Sequence, residues 1–266
     1  MTDHNKRHLG ALLVLCLIIG LGISFYFQRL QLLFKDNAFV LRRIQPLWPA
    51  GALRESAQKI PDDQLYKTVA SWSFLSQDSL KVWEEKVFKG KTDFKVVGDE
   101  AGGTLTVESR DACSGLFVKV KEEATPDLAL QWDWRALEFP KKRNSKLLAN
   151  RREDDFAARV YVIFLAKNFF RSDVIEYVWD ESLPVGTYAD SAYSDRIKLL
   201  VIRSGAPKEG GGWSRERRNL REDYQQLFGK APKNAVGMIA LMSDSDNTAT
   251  SAKAQFGEIR LKRKRS

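Results

Sequence analysis

Histidine is nearly absent from this 266-residue chain, since its only two, His4 and His8, lie within the first eight residues. A Ser-His-Asp or Cys-His catalytic group needs an imidazole, as does a zinc or non-haem iron site built on histidine. Such sites are therefore excluded from the remainder of the chain. Any chemistry there has to come from carboxylates, lysine, tyrosine or a hard metal ion.

Cysteine is equally scarce. Cys16 lies in an apolar run near the N-terminus and Cys113 lies far downstream, so we expect no disulfide between them. The sequence therefore carries no disulfide framework, and its cysteines do not indicate a redox compartment.

Positive charge is in excess, with 43 Lys and Arg against 34 Asp and Glu and a net charge of +9. The basic residues are scattered, and no recognition helix or other nucleic-acid-binding motif accompanies them. We therefore do not expect nucleic acid as a partner. The charge favours a solubilising surface or one that faces anionic lipid.

Residues 9–27, "LGALLVLCLIIGLGISFYF", form an uncharged run of 19 residues. At 1.5 Å per residue, such a helix spans roughly 28 Å, about the thickness of the hydrocarbon core of a bilayer. A cleaved signal peptide is the alternative, but it would have a shorter apolar region and an A-x-A-like exit. We predict an uncleaved transmembrane anchor at 9–27, preceded by a polar tip at 1–8.

The orientation of this anchor follows from two opposing signals. The positive charges near its ends lean slightly toward a cytoplasmic C-terminal side, because two precede the run and four follow it: Lys6, Arg7, Arg29, Lys35, Arg42 and Arg43. Long soluble domains, however, translocate largely regardless of charge, and export signals also begin with a short basic tip. We expect the domain on the outer side.

The hydrophobic period changes near residue 71. Residues 28–70 have helical spacing in places, interrupted by prolines, and indicate a juxtamembrane connector. From 71 to 261 at least eight segments alternate with a period of two, as half-buried strands do, and 262–266 form a basic tail. One helix is predicted at 220–229, ending at Gly229. The pattern predicts a mainly β domain, a jelly-roll-like antiparallel β-sandwich with one short helix.

Five ordered motifs carry a resemblance: "DDFAARVYVIF", "YVWDESLPVG", "DRIKLLVIRSG", "WSRERRNLREDYQQLFG" and "MIALMSDSDNTATSAKAQFGEIRL". Together they resemble an uncharacterised bacterial family, the domain of unknown function 3047, over residues 71–261. The resemblance implies an exported or membrane-anchored bacterial protein with a jelly-roll-like sandwich and no assigned activity. With the predicted anchor, it implies a single-pass inner-membrane protein whose domain is periplasmic. The strand pattern is also similar to that of carbohydrate-binding sandwich modules.

The loop 243–250, "SDSDNTAT", concentrates oxygen-bearing side chains after a predicted strand. Calcium prefers six to eight oxygen ligands, and Asp244, Asp246 and Asn247 offer several from one loop. The alternative is that Asp and Asn side chains bond the backbone of their own turn. Either way we expect a rigid loop, because two carboxylates this close repel each other unless amides, an arginine or a cation offset them.

"YVWDESLPVG" is the second candidate site. In an alternating strand Tyr177 and Trp179 share one face, whereas Val178 and Asp180 share the other. If the aromatic face is accessible, Tyr177 and Trp179 offer a stacking surface for a sugar ring; the alternative is that both belong to the core. Asp180 and Arg203 are the candidate polar contacts of such a ligand.

Two further groups of residues have simpler interpretations. The mixed charges of "WSRERRNLRED" favour a solvated, ion-paired edge, with an anionic partner as the alternative. Trp132 and Trp134 share one strand face and are expected in the core.

The predicted function is therefore a membrane-anchored envelope module that binds carbohydrate or another envelope ligand, with no cofactor or else calcium. A carboxylate-based glycan hydrolase is the alternative, using Asp180 and Asp244, since neighbouring strand carboxylates alone cannot flank one bond. A structural partner within an envelope complex is the third possibility.

Overall fold

The computed structural model describes residues 62–99, 102–143, 146–206 and 212–265. The strands in these residues are β1 (Tyr66–Trp72), β2 (Glu84–Lys89), β3 (Asp93–Asp99), β4 (Gly102–Arg110), β5 (Cys113–Glu122), β6 (Leu128–Glu138), β7 (Ala158–Phe164), β8 (Asp173–Asp180), β9 (Tyr188–Ser191), β10 (Ser194–Ser204), β11 (Ser214–Asn219), β12 (Val236–Met242) and β13 (Ser251–Lys264). The α-helices there are α1 (Asp62–Leu65) and α2 (Leu220–Phe228), and two 3-10 helices cover Gln77–Val82 and Phe169–Arg171.

The strands form two sheets. The six-stranded sheet has the order β11-β6-β13-β4-β3, and β1 pairs with the C-terminal half of β13. The seven-stranded sheet has the order β2-β5-β12-β7-β8-β10-β9. Both sheets contribute alternate residues to one buried core. The prediction of a mainly β sandwich is therefore confirmed.

The largest aromatic side chains hold the two sheets together. Trp132 and Trp134 of β6 are fully buried and face Tyr177 and Trp179 of β8 in the opposite sheet. The ring centroids of Trp132 and Tyr177 lie 5.3 Å apart, and those of Trp134 and Trp179 lie 5.5 Å apart. Such ring–ring contacts stabilise a core in addition to the stabilisation that comes from burying apolar area. The prediction that Trp132 and Trp134 are core residues is confirmed.

Helix α2 is built as its sequence predicts. The side chain of Asn219 accepts hydrogen bonds from the amides of Arg221 and Glu222 and so caps the N-terminus. Gly229 ends the helix with a φ of 69°, a left-handed conformation that glycine adopts without strain. Tyr224, on the buried face of the helix, packs on Phe164 of the seven-stranded sheet with ring centroids 4.7 Å apart. The predicted helix at 220–229 is thus confirmed.

The pairing differs from the prediction in one place. β8 and β10 are parallel, because β9 forms the antiparallel partner of β10 at the sheet edge and β10 returns between β9 and β8. The expectation of a purely antiparallel sandwich is therefore wrong at this pair. The strands also begin at Tyr66 and continue to Lys264, beyond the predicted limits of 71 and 261.

The predicted tip, the anchor at 9–27 and most of the connector lie outside the described residues. In the part of the chain that is described, no helix is both long and apolar enough to cross a membrane.

Candidate functional site

The outer face of the seven-stranded sheet is the face turned away from the other sheet. On it, Ala240 of β12 pairs with Phe117 of β5 on one side and with Tyr161 of β7 on the other. Their sequence neighbours point into the core, so these three side chains point outward. With strands about 4.8 Å apart, the α-carbons of Phe117 and Tyr161 lie roughly 10 Å apart across the small Ala240. We call Phe117, Ala240 and Tyr161 the outer row.

Both rings of the outer row are half-buried, and polar groups lie beside them. The ammonium of Lys86 lies 5.5 Å from the ring centroid of Phe117. On the other side, Tyr161 pairs with Glu176 of β8. The outer row therefore joins two aromatic side chains to an ammonium group on one side and a carboxyl group on the other.

A second apolar cluster covers the far part of the outer face. It unites residues of the β6–β7 and β8–β9 connections with outward residues of β8 and β10: Leu148, Phe156, Val178, Leu183, Leu199 and Val201. Residues 148–156 thus lie on the outer face over β8 and β10. The rest of the outer face is formed by β5, β12 and β7. There the outward residues of β12 are buried, whereas Phe117 and Tyr161 are half-buried.

A buried arginine, Arg159 of β7, lies at the border between this part of the outer face and the second apolar cluster. Arg159 is 3% exposed, and its Nε and Nη2 lie 2.9 Å from the two carboxylate oxygens of Asp244. Its Nη1 donates to Glu176 and to the hydroxyl of Tyr161, each at 3.1 Å, while Nη2 donates to Asp154 at 3.3 Å. We call these five residues the arginine cluster. Bidentate and charge-assisted bonds of this kind fix the geometry of the side chains they join.

The arginine cluster holds more acids than its one guanidinium balances. Burial raises the pKa of Glu176 from 4.5 to about 8, although Arg159 opposes the shift. Burial also raises the pKa of Asp154 and of Asp244, again against the effect of Arg159. Removing a carboxylate from water disfavours its charged form, and one cation cannot offset three buried anions. The Glu176 carboxyl therefore holds its proton to a higher pH than an exposed glutamate does.

The loop 243–250 is fixed by the segment that precedes β7. Asp155 accepts hydrogen bonds from the backbone amides of Asn247 and Thr248 at 3.2 and 2.7 Å, and from the hydroxyl of Thr248 at 2.6 Å. Asp244 accepts from the amide of Phe156 at 3.0 Å, and Asp246 accepts from the Asn247 side chain at 3.2 Å. The prediction that Asp244 and Asp246 accept hydrogen bonds in a densely bonded loop is confirmed.

The possible metal ligands of this loop lie beside a cysteine and an arginine, which the prediction did not include. The Sγ of Cys113 and carboxylate oxygens of Asp244 and Asp246 lie within 4.8 Å of one another. Calcium binds oxygen rather than sulfur, and Arg159 already offsets the charge of Asp244. The side-chain oxygen of Asn247 accepts from the Tyr193 hydroxyl at 3.3 Å. A calcium ion at Asp244, Asp246 and Asn247 stays a prediction.

Tyr177 and Trp179 do not form the expected stacking surface. They are 0% and 3% exposed and face the core, because the tryptophans of β6 lie opposite them. The Tyr177 hydroxyl donates to Asp223 at 2.6 Å, and the Trp179 indole donates to the carbonyl of Gly205 at 2.9 Å. This corrects their proposed role in ligand binding, and the alternative that both belong to the core is right.

Asp180 and Arg203 are also engaged within the fold. Asp180 is 1% exposed, accepts from the amides of Ser182 and Leu183, and pairs with Lys142 at 3.1 Å. It therefore fixes the turn after β8 and does not present a free carboxylate to a ligand or a scissile bond. Arg203 pairs with Glu216 of the edge strand β11. The remaining runner-up acid, Asp244, belongs to the arginine cluster.

Sequence reasoning missed Phe117, Tyr161 and Arg159. The signal was present in "FAARVYVIF", where Arg159 and Tyr161 share the face opposite the apolar Val160 and Val162. A charged residue at the centre of an otherwise apolar strand needs buried partners. Those partners come from distant segments, which no local pattern connects to this strand.

The chain belongs to the family described as Protein of unknown function (DUF3047), whose model matches residues 81–260. No curated protein matches it in sequence.

Solved structures similar to this chain include carbohydrate-binding modules and an adhesin domain. The family 11 module of the cellulosomal cellulase Lic26A-Cel5E of Clostridium thermocellum is 12% identical, with a TM-score of 0.35 over 73% of this chain and 95% of that one. The mannan-recognising module TmCBM27 is 12% identical, with a TM-score of 0.37 over 76% and 99% of the two chains. The K1 cleaved adhesin domain of Lys-gingipain from Porphyromonas gingivalis W83 is 13% identical, with a TM-score of 0.34 over 72% and 96%. Likeness at this level says nothing about what this chain binds.

Proposed function

We propose that this member of the family is a non-catalytic module that binds carbohydrate on the outer face of β5, β12 and β7. The outer row carries this proposal, because it presents two half-buried aromatic side chains, whose α-carbons lie roughly 10 Å apart, on either side of a small buried residue. The two rings make a shallow apolar surface over Ala240, which is itself fully buried. Charged groups lie at its border.

The chemistry of a sugar fits this combination. A pyranose ring has an apolar C–H face that packs on aromatic side chains, and hydroxyl groups at its edge that donate and accept hydrogen bonds. Tyr161 supplies a ring and a hydroxyl that accepts from Arg159, and Lys86 supplies an ammonium group beside Phe117. Glu176 is 5% exposed and lies behind these groups, paired with Arg159. A few fixed polar groups beside an apolar surface are the usual composition of a ligand site.

Binding to a glycan array tests the proposal. The wild type is compared with the double variant Phe117→Ala, Tyr161→Ala and with Trp213→Ala, which removes an aromatic side chain that is 42% exposed and lies over Arg135 of the other sheet. We expect a specific glycan signal for the wild type and Trp213→Ala, and a loss of about tenfold or more in the double variant. Equal signals from all three proteins would contradict the proposed location.

Hydrolysis of the bound glycan is the second candidate function. Burial raises the pKa of Glu176, as a general acid requires, but its carboxyl is 5% exposed and paired with Arg159, so a glycan reaches it only if the fold opens locally. Product analysis on the array-positive glycans distinguishes the two functions. Bond cleavage that disappears in Glu176→Gln would establish catalysis, whereas binding without products supports the non-catalytic module. If no glycan binds and the protein co-purifies with an envelope complex, the structural role is favoured.

The proposed location is the bacterial inner membrane, with residues 9–27 as the anchor and the sandwich in the periplasm. The 19 uncharged residues of this run support the anchor. Fractionation of the full chain tests it against the variant Ile18→Arg, Ile19→Arg. We expect the wild type in the membrane fraction and the variant displaced from it, while protease added to spheroplasts should digest the sandwich. Identical fractionation of both proteins would contradict the anchor.

A further inference from the structure

A cavity of about 350 Å³ lies at one edge of the sandwich, where β1, the 3-10 helix Gln77–Val82, β2 and β5 meet. Three aromatic and three charged side chains dominate its lining: Trp72, Trp83, Phe117, Lys81, Lys119 and Glu84. This volume is at the lower end of the range for small-molecule sites, which limits an occupant to one or two rings.

The wall of the cavity is aromatic and fixed. Trp83 is 7% exposed and belongs to the core, and its ring meets that of Trp72 edge to face at 6.2 Å. Trp83 also packs on the fully buried Phe74, with ring centroids 5.9 Å apart. The indole surfaces are therefore held in place before a ligand arrives, which lowers the entropy lost on binding.

The charges at the cavity favour a ligand with one negative charge. Its lining contains two positive charges, those of Lys81 and Lys119, and one negative charge, that of Glu84. Lys81 pairs with Asp78 at 2.9 Å, but both side chains are about three-quarters exposed, so that pair is weak and exchangeable. Within the described residues Lys119 is exposed and makes no ion pair.

We infer that this cavity binds a sugar acid, that is, a pyranose ring that carries one carboxylate. The apolar face of the ring packs on Trp72, whose half-buried indole is held by the ring of Trp83 beside it, and the carboxylate pairs with Lys119 and Lys81. Hydroxyl groups donate to Glu84, which disfavours ligands that lack hydroxyls, such as aromatic acids. The inference goes beyond the outer-face proposal and survives its failure, since Trp72, Trp83 and Lys81 do not belong to the outer face, although Phe117 and Lys119 of β5 border both sites.

Fluorine NMR of the full chain in detergent, labelled with 5-fluorotryptophan, tests the inference. The probes are D-galacturonate and D-galactose, which differ by one carboxylate. We expect galacturonate to shift the resonances of Trp72 and Trp83, assigned from Trp→Phe variants, and to leave that of Trp213 in place. No shift with galacturonate, or an equal shift with galactose, would overturn the inference.

Variants separate this site from the outer face. Lys119→Met should weaken galacturonate binding about fivefold, the equivalent of one partly exposed ion pair. Lys121→Met is the matched control, because it removes an exposed lysine two residues along the same strand that does not line the cavity. Tyr161→Ala should leave the galacturonate response unchanged, whatever its effect on outer-face binding. Equal affinities in Lys119→Met and Lys121→Met would contradict the role of charge.

Discussion

The inner and outer faces of the seven-stranded sheet are made of alternate residues of the same strands, yet they differ in chemistry. In β8, Tyr177 and Trp179 face inward and meet two tryptophans of the opposite sheet, whereas Glu176 and Asp180 face outward and meet Arg159 and Lys142. The inner aromatic side chains are buried and inaccessible to a ligand, whereas those of the outer row are half-buried. An aromatic pair in a strand motif is therefore not by itself a ligand surface, because the opposite sheet decides which face is accessible.

The largest expected effect concerns the arginine cluster. Arg159→Met would leave buried acids without a cation, and we expect it to lower the free energy of unfolding by about 3–5 kcal/mol. Arg110→Met is the matched control, since Arg110 is 80% exposed and pairs with Glu108 at the surface. Its expected loss is at most about 1 kcal/mol. Urea unfolding measures both, and equal losses would show that burial of the cluster does not matter.

Replacing one aromatic on each face sharpens the comparison. Trp179→Ala removes a core side chain, and we expect a loss of about 3–5 kcal/mol in stability. Tyr161→Ala removes a half-buried side chain, so its cost in stability should be smaller, but it should weaken glycan binding. Thermal melts and binding isotherms of both variants check this. A glycan affinity that falls in folded Trp179→Ala but not in Tyr161→Ala would reverse the assignment of the two faces.

The fold was more predictable than the site. Helix α2 and the inward–outward alternation of β8 follow from local signals, namely Asn219, Gly229 and a period of two. The arginine cluster unites residues of three distant segments, Asp154, Glu176 and Asp244, and no local pattern reveals that they meet. The parallel pairing of β8 with β10 depends on β9 occupying the sheet edge, which is likewise a non-local choice.

The pH dependence of stability tests the protonation of Glu176. Its pKa is 4.5 when unfolded and about 8 when folded, because it is buried, so between these values the folded chain holds a proton that the unfolded chain has released. Stability should therefore fall as the pH rises through this window, by up to about 1.4 kcal/mol per pH unit for one proton. Glu176→Gln mimics the protonated form and should reduce the slope by the share of Glu176, leaving the part that comes from Asp154 and Asp244. An identical slope in wild type and variant would contradict the raised pKa.

The smallest expected effect is that of calcium. Arg159 already balances Asp244 and amide groups already bond Asp155 and Asp244, so we expect melting curves with calcium and with chelator to coincide closely. A calcium ion bound at about 100 times its dissociation constant would instead raise the unfolding free energy by about 2.7 kcal/mol. A shift of that size, lost in Asp246→Asn, would establish the predicted calcium site.

The most direct test is to map where an array-positive glycan binds, using amide chemical shifts of the isotopically labelled chain. The account predicts that the largest shifts fall on β5, β12 and β7, centred on Phe117, Ala240 and Tyr161. It also predicts that the amides around Trp213 and Arg135, on the six-stranded sheet, remain unchanged. Shifts centred on the six-stranded sheet, with none in the outer row, would contradict the assignment of the outer face as the ligand surface.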